Sequence, residues 1–277
     1  MKIAVLADIH ANYPALQAVS DHIEQWRPDF VYVAGDIVNR GPRSLDCLRF
    51  VQNKQQSKDW RIIRGNHENY VIDRAAPDAP QSGPQFELFR PVHFSYQQLN
   101  EDVSYLKTLP EILSLTLPDA NEFRVVHASM QGNRIGIYPE MDDAALRKRI
   151  MPAPTILVVG HTHRPLIRKI DKTLVVNTGA AGLPFDQDTR ASYAQLTLHN
   201  GIWQAEIARI YYDIEAAKRD FHETGFLEHG GPLARLILRE LTFGISQLYT
   251  WTSNYGDPIL KGEITMEQAV DEFLEFR

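Results

Sequence analysis

Short apolar runs recur along the first part of the chain, and each stops at a polar cluster. Residues 3–7 run into Asp8-Ile9-His10, 30–34 into Gly35-Asp36, and 60–64 into Gly65-Asn66-His67-Glu68. Further on, 123–126 runs into His127, and 156–159 into Gly160-His161-Thr162-His163. Runs of this length, rich in β-branched and aromatic residues, predict buried strands. The gaps between the first runs carry helical periodicity: 13–26 closes before Pro28, and 44–55 follows Pro42. Strand–helix alternation predicts an α/β fold with a mostly parallel sheet. In such sheets the carboxyl ends of the strands form the binding crevice, so the polar clusters are expected to converge on one edge.

Residues 69–110 break the rhythm with Pro77, Pro80, Pro84 and Pro91, followed by a helical-looking 95–109. They read as an insertion over the crevice mouth, since long connections in compact domains are often functional. Beyond His163 the pattern turns to strands. It predicts hairpins of 166–170 with 173–177 about Asp171-Lys172, and of 192–198 with 202–211 about His199-Asn200-Gly201. From 214 onward it is helical again, roughly over 215–224, 232–249 and 265–276. The expected organisation is one domain over 1–277: a core of 1–213, the cap-like insertion 69–110, and a helical extension 214–277.

Composition narrows the possibilities. A length of 277 residues with 44% hydrophobic and 23% charged residues is ordinary for a globular protein with a sizeable core. A formal net charge of −6 argues against a nucleic-acid polymer as partner, but not against a small phosphorylated substrate held with bound cations. The single cysteine, Cys47, leaves no internal disulfide and fits a reducing compartment. The chain enters a strand at once, read here as no signal peptide. The apolar stretch 233–251 is interrupted by Arg235, Arg239 and Glu240 and is not a membrane span. A cytoplasmic protein is expected.

The chemistry lies in the clusters. A carboxylate where a buried strand ends must meet water, a cation or hydrogen-bond donors. Asp36 is read as the bridge between two divalent ions. Asp8, His10, Asp36 and His163 would serve one ion, and Asp36, Asn66, His127 and His161 the other. Two ions carry +4 against −2 from Asp8 and Asp36, leaving a residue of charge that a phosphate ester and a hydroxide would neutralise. Imidazole with carboxylate and no thiolate favours Mn, Fe or Zn, with Co and Mg as alternatives, over Ca. Such a pair lowers the pKa of bound water and clamps both oxygens of an in-line displacement, which describes phosphoester hydrolysis. His67 is not needed for coordination; it would donate a proton to the leaving alkoxide or hold a phosphoryl oxygen. Arg40 would fork onto phosphate oxygens.

In this order, Asp8-Ile9-His10, Gly35-Asp36, Gly65-Asn66-His67-Glu68, His127 and Gly160-His161-Thr162-His163 resemble the calcineurin-like metallophosphoesterases. The likeness runs from residue 1 to about 210 and takes in Val176-Asn177-Thr178-Gly179-Ala180-Ala181-Gly182 and Arg190-Ala191-Ser192-Tyr193, which resemble a late segment of small prokaryotic members. It implies a four-layer αββα sandwich, the ligand roles given above, and His67 as the catalytic histidine. Two departures separate the chain from the Ser/Thr protein phosphatases of that family. They carry an aspartate where this chain has Asn39, which can orient His67 but cannot stabilise an imidazolium by charge. They also follow the middle metal histidine with Gly-Gly, whereas His127 precedes Ala128-Ser129.

Lesser signals are read more plainly. Asn12 either contacts substrate or caps the helix beginning near Pro14. His229-Gly230-Gly231 mimics a metal segment but falls outside the family order and reads as a loop. His22 is expected on a solvated helix face and His93 on the surface; Arg164 is a secondary phosphate candidate. Phe243, Tyr249 and Trp251 are expected to pack the tail onto the core. The expected function is metal-dependent hydrolysis of small phosphodiesters or nucleotides, dinucleoside polyphosphates among them. The alternatives are a Ser/Thr-type protein phosphatase and, from another class, a non-catalytic protein-binding scaffold on the same fold, which a retained His67 argues against.

Overall fold

A computed structural model describes residues 1–117 and 121–275. The first strand, β1 (Lys2–Leu6), is followed by α1 (Tyr13–Trp26), β2 (Phe30–Val33), α2 (Ser44–Lys58) and β3 (Arg61–Ile62). Four helices come next: α3 (Asn66–Asp73), α4 (Gly83–Leu88), α5 (Arg90–Gln98) and α6 (Ser104–Thr108). Then follow β4 (Ile112–Thr116), β5 (Glu122–Val126), α7 (Asp143–Ile150), β6 (Ile156–Val159), β7 (Leu166–Ile170) and β8 (Thr173–Asn177). The chain ends with the long hairpin β9 (Ala191–His199) and β10 (Ile202–Ile210), and the helices α8 (Ile214–Glu223), α9 (Phe226–His229), α10 (Leu233–Phe243), α11 (Leu248–Leu260) and α12 (Met266–Glu275).

The expected parallel sheet is two mixed five-stranded sheets, ordered β10-β9-β1-β2-β3 and β4-β5-β6-β8-β7. The parallel strands are central in each, β1 with β2 and β3, and β5 with β6 and β8. Alternation along β1 explains the layering. Ile3 and Val5 meet Phe123, Val125, Ile156 and Val158 of the opposite sheet, while Ala4 and Leu6 pack under α1 and α2. The outer face of the second sheet is covered by Leu146 and Ile150 of α7. This gives the αββα sandwich. Because both faces of each central strand are buried, these strands read as continuous apolar runs.

Four expectations change. The segment 69–110 is built into the first helical layer: Val71, Val92, Leu99, Val103, Leu106 and Leu109 are buried in the cluster that holds α1 and α2. The helical pattern 95–109 is broken between α5 and α6, where Asn100 and Glu101 adopt left-handed φ values of 54° and 61°. The pattern 232–249 is two helices, because Gly244 (φ 64°) closes α10 in the left-handed conformation that favours glycine. The second of them, α11, extends well past the expected boundary. Trp251 is fully buried on the tail, but Phe243 and Tyr249 lie 55% and 78% exposed on outward faces, against the expected packing.

Candidate metal centre

The strand ends are tied together before any ligand is considered. Asp8 N–H donates to Gly35 O (3.2 Å) and His10 N–H to Asp36 O (3.0 Å), joining the turns after β1 and β2. Gly160 N–H donates to His127 O (2.8 Å), joining those after β5 and β6. Contact between the two pairs needs residues without side chains. A Cβ on Gly160 would lie 2.5 Å from Asp8 Oδ2, and one on Gly35 3.0 Å from His127 Nδ1. Asp8, His10, Asp36, His161 and His163 all have left-handed φ, between 47° (His10) and 69° (His161). Outside glycine such conformations cost about 1–3 kcal/mol each and persist where surrounding structure enforces them, which is common at functional sites.

Their side chains converge. Asp36 Oδ1 accepts from His67 N–H (2.9 Å), which leaves Oδ2 between His10 Nε2 (3.6 Å) and His127 Nε2 (3.2 Å). On the His10 side, Asp8 Oδ1 lies 3.9 Å from His10 Nε2 and 3.4 Å from His163 Nε2, and the two imidazole nitrogens are 3.1 Å apart. On the His127 side, Asn66 Oδ1 lies 2.8 Å from His127 Nε2 and 2.9 Å from His161 Nδ1. The ring orientations are set from behind: His10, His127 and His163 direct Nδ1 at the carbonyls of Asn39 (3.2 Å), Ala34 (2.8 Å) and Leu183 (2.5 Å). With Nδ1–H donating outward, each turns Nε2 inward, where the neutral ring offers a lone pair, the arrangement that metal-ligating histidines adopt. Asp8 Oδ1 is buried with no hydrogen-bond partner. A buried anionic oxygen without a donor, facing converging nitrogen lone pairs, fits a cation. The groups Asp8–His10–His163 and Asp36–His127–His161 each hold their donor atoms within 4.8 Å of one another, and so fit one divalent ion apiece.

Electrostatics agree with that donor set. Burial pushes the His10, His67 and His161 imidazoles down, His67 and His161 to about 3, so these rings are neutral. Burial also acts on His127 in the same direction, but the Asp36 carboxylate beside it overrides this and raises it to about 10. Asp36 is the mirror image. Burial would raise its carboxyl, yet His127 and then His67 hold it well below the usual range. Without cations His127 thus holds its proton against Asp36, and a cation at this pair would compete with that proton.

The supporting residues were less visible in the sequence. Glu68, fully buried at the start of α3, accepts from four backbone N–H groups: Asp36 and Gly65 (both 2.8 Å), Ile37 (2.7 Å) and Val38 (3.2 Å). It clamps the turn that carries Asp36. Asn177 Nδ2 donates to Gly160 O and Thr162 Oγ1 (both 2.9 Å), fixing the turn between His161 and His163. Phe185 stacks on His163 at 4.3 Å. The motif positions of Glu68 and Asn177 marked them without giving a role; nothing local marks Phe185.

The remaining sequence candidates fall differently. His67 lies beside His10, ring centroids 4.7 Å apart, and its Nδ1 faces Asn39 Nδ2 at 2.9 Å. Arg40, expected to fork onto phosphate, is already engaged by a carboxylate. Its Nη2 donates to both carboxylate oxygens of the buried Glu240 (2.8 and 2.9 Å), because α10 brings that carboxylate over the turn. Asn12 caps the helix: Oδ1 accepts from Ala15 N–H (3.2 Å), and Nδ2 donates to Gly182 O (2.8 Å) and the Tyr212 hydroxyl (3.3 Å). Arg164 pairs with the exposed Glu140. His22 is half-buried against the Tyr193 hydroxyl (2.8 Å) rather than solvated. His93 packs beside Phe86, and His229 is an exposed helix end. Among the described residues no helix is long and apolar enough to cross a membrane.

Comparison with known proteins agrees with this geometry. Residues 1–201 match the family model of the calcineurin-like phosphoesterase superfamily domain. An uncharacterized protein of Methanocaldococcus jannaschii is 25% identical over 235 residues, 78% of this chain and 89% of that one. The symmetrical bis(5'-nucleosyl)-tetraphosphatase of Erwinia tasmaniensis is 36% identical over 74 residues, so this chain spans only 26% of its length. A metallophosphoesterase of Sphaerobacter thermophilus superposes with a TM-score of 0.68 at 26% identity, covering 88% of this chain and 99% of that one. A hypothetical protein of Pyrococcus horikoshii gives 0.74 at 21% identity, covering 89% and 99%, and supports the fold. On its matched length, its two-sheet architecture and its converging His/Asp clusters, the chain belongs to the calcineurin-like phosphoesterase superfamily and is a metal-dependent phosphoester hydrolase.

Proposed function

We propose that the chain hydrolyses small phosphodiesters or nucleotides, dinucleoside polyphosphates among them, at two divalent ions that share Asp36. The observation that carries this reading is the position of Asp36 Oδ2 between His10 Nε2 and His127 Nε2. Asp8, His10 and His163 would hold one ion with Asp36, and Asn66, His127 and His161 would hold the other. The ions, Mn, Fe or Zn by donor type, supply charge neutralisation at the phosphoryl oxygens and acidify water.

The chain's own residues do the rest. Asn39 Oδ1 accepts from Arg40 N–H (2.7 Å), so its Nδ2 is the atom that donates to His67 Nδ1. A neutral His67 therefore carries its proton on Nε2 and donates it to a phosphoryl or leaving-group oxygen. Arg40 acts as a fixed charge rather than a free fork. With Glu240 offsetting it, the site suits a phosphorus centre bearing one negative charge, as in a diester, better than a doubly charged monoester. The partial likeness to symmetrical tetraphosphatases supports nucleotide substrates. Asn39 and Ala128-Ser129, where protein phosphatases differ, weigh against phosphoproteins.

The test is a substrate panel on protein loaded with Mn²⁺ and assayed for metal content: bis(4-nitrophenyl) phosphate, diadenosine tetraphosphate and a phosphopeptide. Two ions per chain with turnover of the first two substrates is expected. Turnover of the phosphopeptide alone, or protein without stoichiometric metal, would overturn the reading.

A further inference from the structure

The segment after His127 passes along the lip of the site between His161 and His67. Gly136 brings it there: a Cβ at that position would lie 2.6 Å from Thr162 Cγ2 and 3.0 Å from His161 Cδ2. Two residues earlier, Arg134 lays its guanidinium over the Tyr70 ring, with Cζ 4.7 Å from the centroid. Tyr70 in turn meets His67 edge-on, ring centroids 5.3 Å apart. Arg134 thus bridges the two histidine flanks of the mouth on an aromatic platform.

Its electrostatic situation sets it apart. The arginines nearest the candidate ligands in sequence are each paired with a carboxylate, Arg40 with Glu240, Arg64 with Glu111 and Arg164 with Glu140. Arg134 is exposed and, among the described residues, has no ion-pair partner; its guanidinium lies over Tyr70. Stacking fixes one face of the guanidinium and leaves its edge, with parallel N–H donors, open to solvent. A pre-oriented fork beside a phosphoester site is suited to a phosphate oxygen pair.

Resting on the proposed function, we propose that Arg134, held by Tyr70, is a specificity-determining residue: it binds a second phosphoryl group adjacent to the one hydrolysed, so the preferred substrates are polyphosphate-bridged rather than simple diesters.

Arg134→Ala and Tyr70→Leu are compared with the native protein, all loaded with Mn²⁺, on diadenosine tetraphosphate and bis(4-nitrophenyl) phosphate. Loss of a charge-assisted fork is expected to lower kcat/KM for the tetraphosphate about ten- to one-hundred-fold, mainly through KM. The simple diester should lose at least ten-fold less (~10, the lower end of that range). Arg134→Lys, keeping the charge without the fork, should recover part of the loss. Calorimetry with α,β-methylene adenosine diphosphate should show weaker binding to Arg134→Ala by a similar factor. Equal losses on both substrates, or no loss, would overturn the inference. Native protein that holds its metals and cleaves neither substrate would instead overturn the proposed function.

Discussion

Glu68 takes no part in the candidate coordination, yet it accepts four backbone N–H groups around the Asp36 turn while fully buried. Each oxygen takes two of them, so an amide at this position would set its own N–H₂ against two donors. Each buried donor left unpaired costs about 1–3 kcal/mol. Glu68→Gln should therefore destabilise the protein by about 2–6 kcal/mol in urea denaturation, and it should weaken metal binding because Asp36 loses its anchor. A variant as stable as the native chain would show that the clamp is dispensable. At His67 the expected outcome is the reverse, chemistry lost with the scaffold kept. His67→Ala should retain two ions per chain and lose about 10²–10⁴-fold in turnover of alkyl esters, whose leaving groups need the proton. Nitrophenyl esters should be hurt far less. An unchanged rate on an alkyl ester would remove His67 from the mechanism. Residues such as His67 were legible because the motif names them. The positions that set the tautomers, the carbonyls of Ala34, Asn39 and Leu183, carry no side-chain signal and were not.

The C-terminal helices act on the site through ion pairs, Arg40 with Glu240 of α10, and Arg43 with Asp220 (2.5 Å) and Glu223 (3.6 Å) of α8. Glu240 is the richer contact. It also accepts from Gln247 and Leu248 N–H (2.7 and 2.9 Å), so one buried carboxylate both offsets Arg40 and caps the start of α11. None of this was readable from periodicity, which ran α10 and the gap into one helix and missed most of α11. The apolar spacing was sound; the missing information was the left-handed turn at Gly244 and a partner 200 residues away. Removing one member of a buried pair strands the other, at about 3–5 kcal/mol. Arg40→Met is expected to cost that much, and Glu240→Gln less, since its oxygen still serves α11. Combining them should recover a substantial part of the summed loss, because neither charge is then left alone. Strict additivity in denaturation of the metal-loaded proteins would mean that the pair is not coupled.

At the scale of the whole molecule, two sheets are pressed together so that turns from β1, β2, β5 and β6, with the start of α3, meet at one edge. The strands themselves were legible because both their faces are buried. Their division into two sheets was not, since the pairing of β1 with β9 joins residues nearly 200 apart in sequence and leaves no local trace. What this assembly concentrates is charge, and that yields a prediction about protons and metal together. In the metal-free fold His127 sits at about 10, against 6.5 for an ordinary imidazole, because of Asp36. A raised folded value means that the pair's contribution to stability is complete below about pH 6.5 and is lost as pH climbs towards 10. Ligation requires the same imidazole without its proton, so metal uptake strengthens over that window. The metal-free protein should therefore lose stability with rising pH while the metal-loaded protein does not. The gain in Tm on adding Mn²⁺ should be larger at about pH 8.5 than at about pH 6. Replacing His127 by asparagine should remove most of that difference, because no proton then competes with the ion. A Tm gain that is flat across the range in the native protein would show that His127 is not exchanging a proton for a metal.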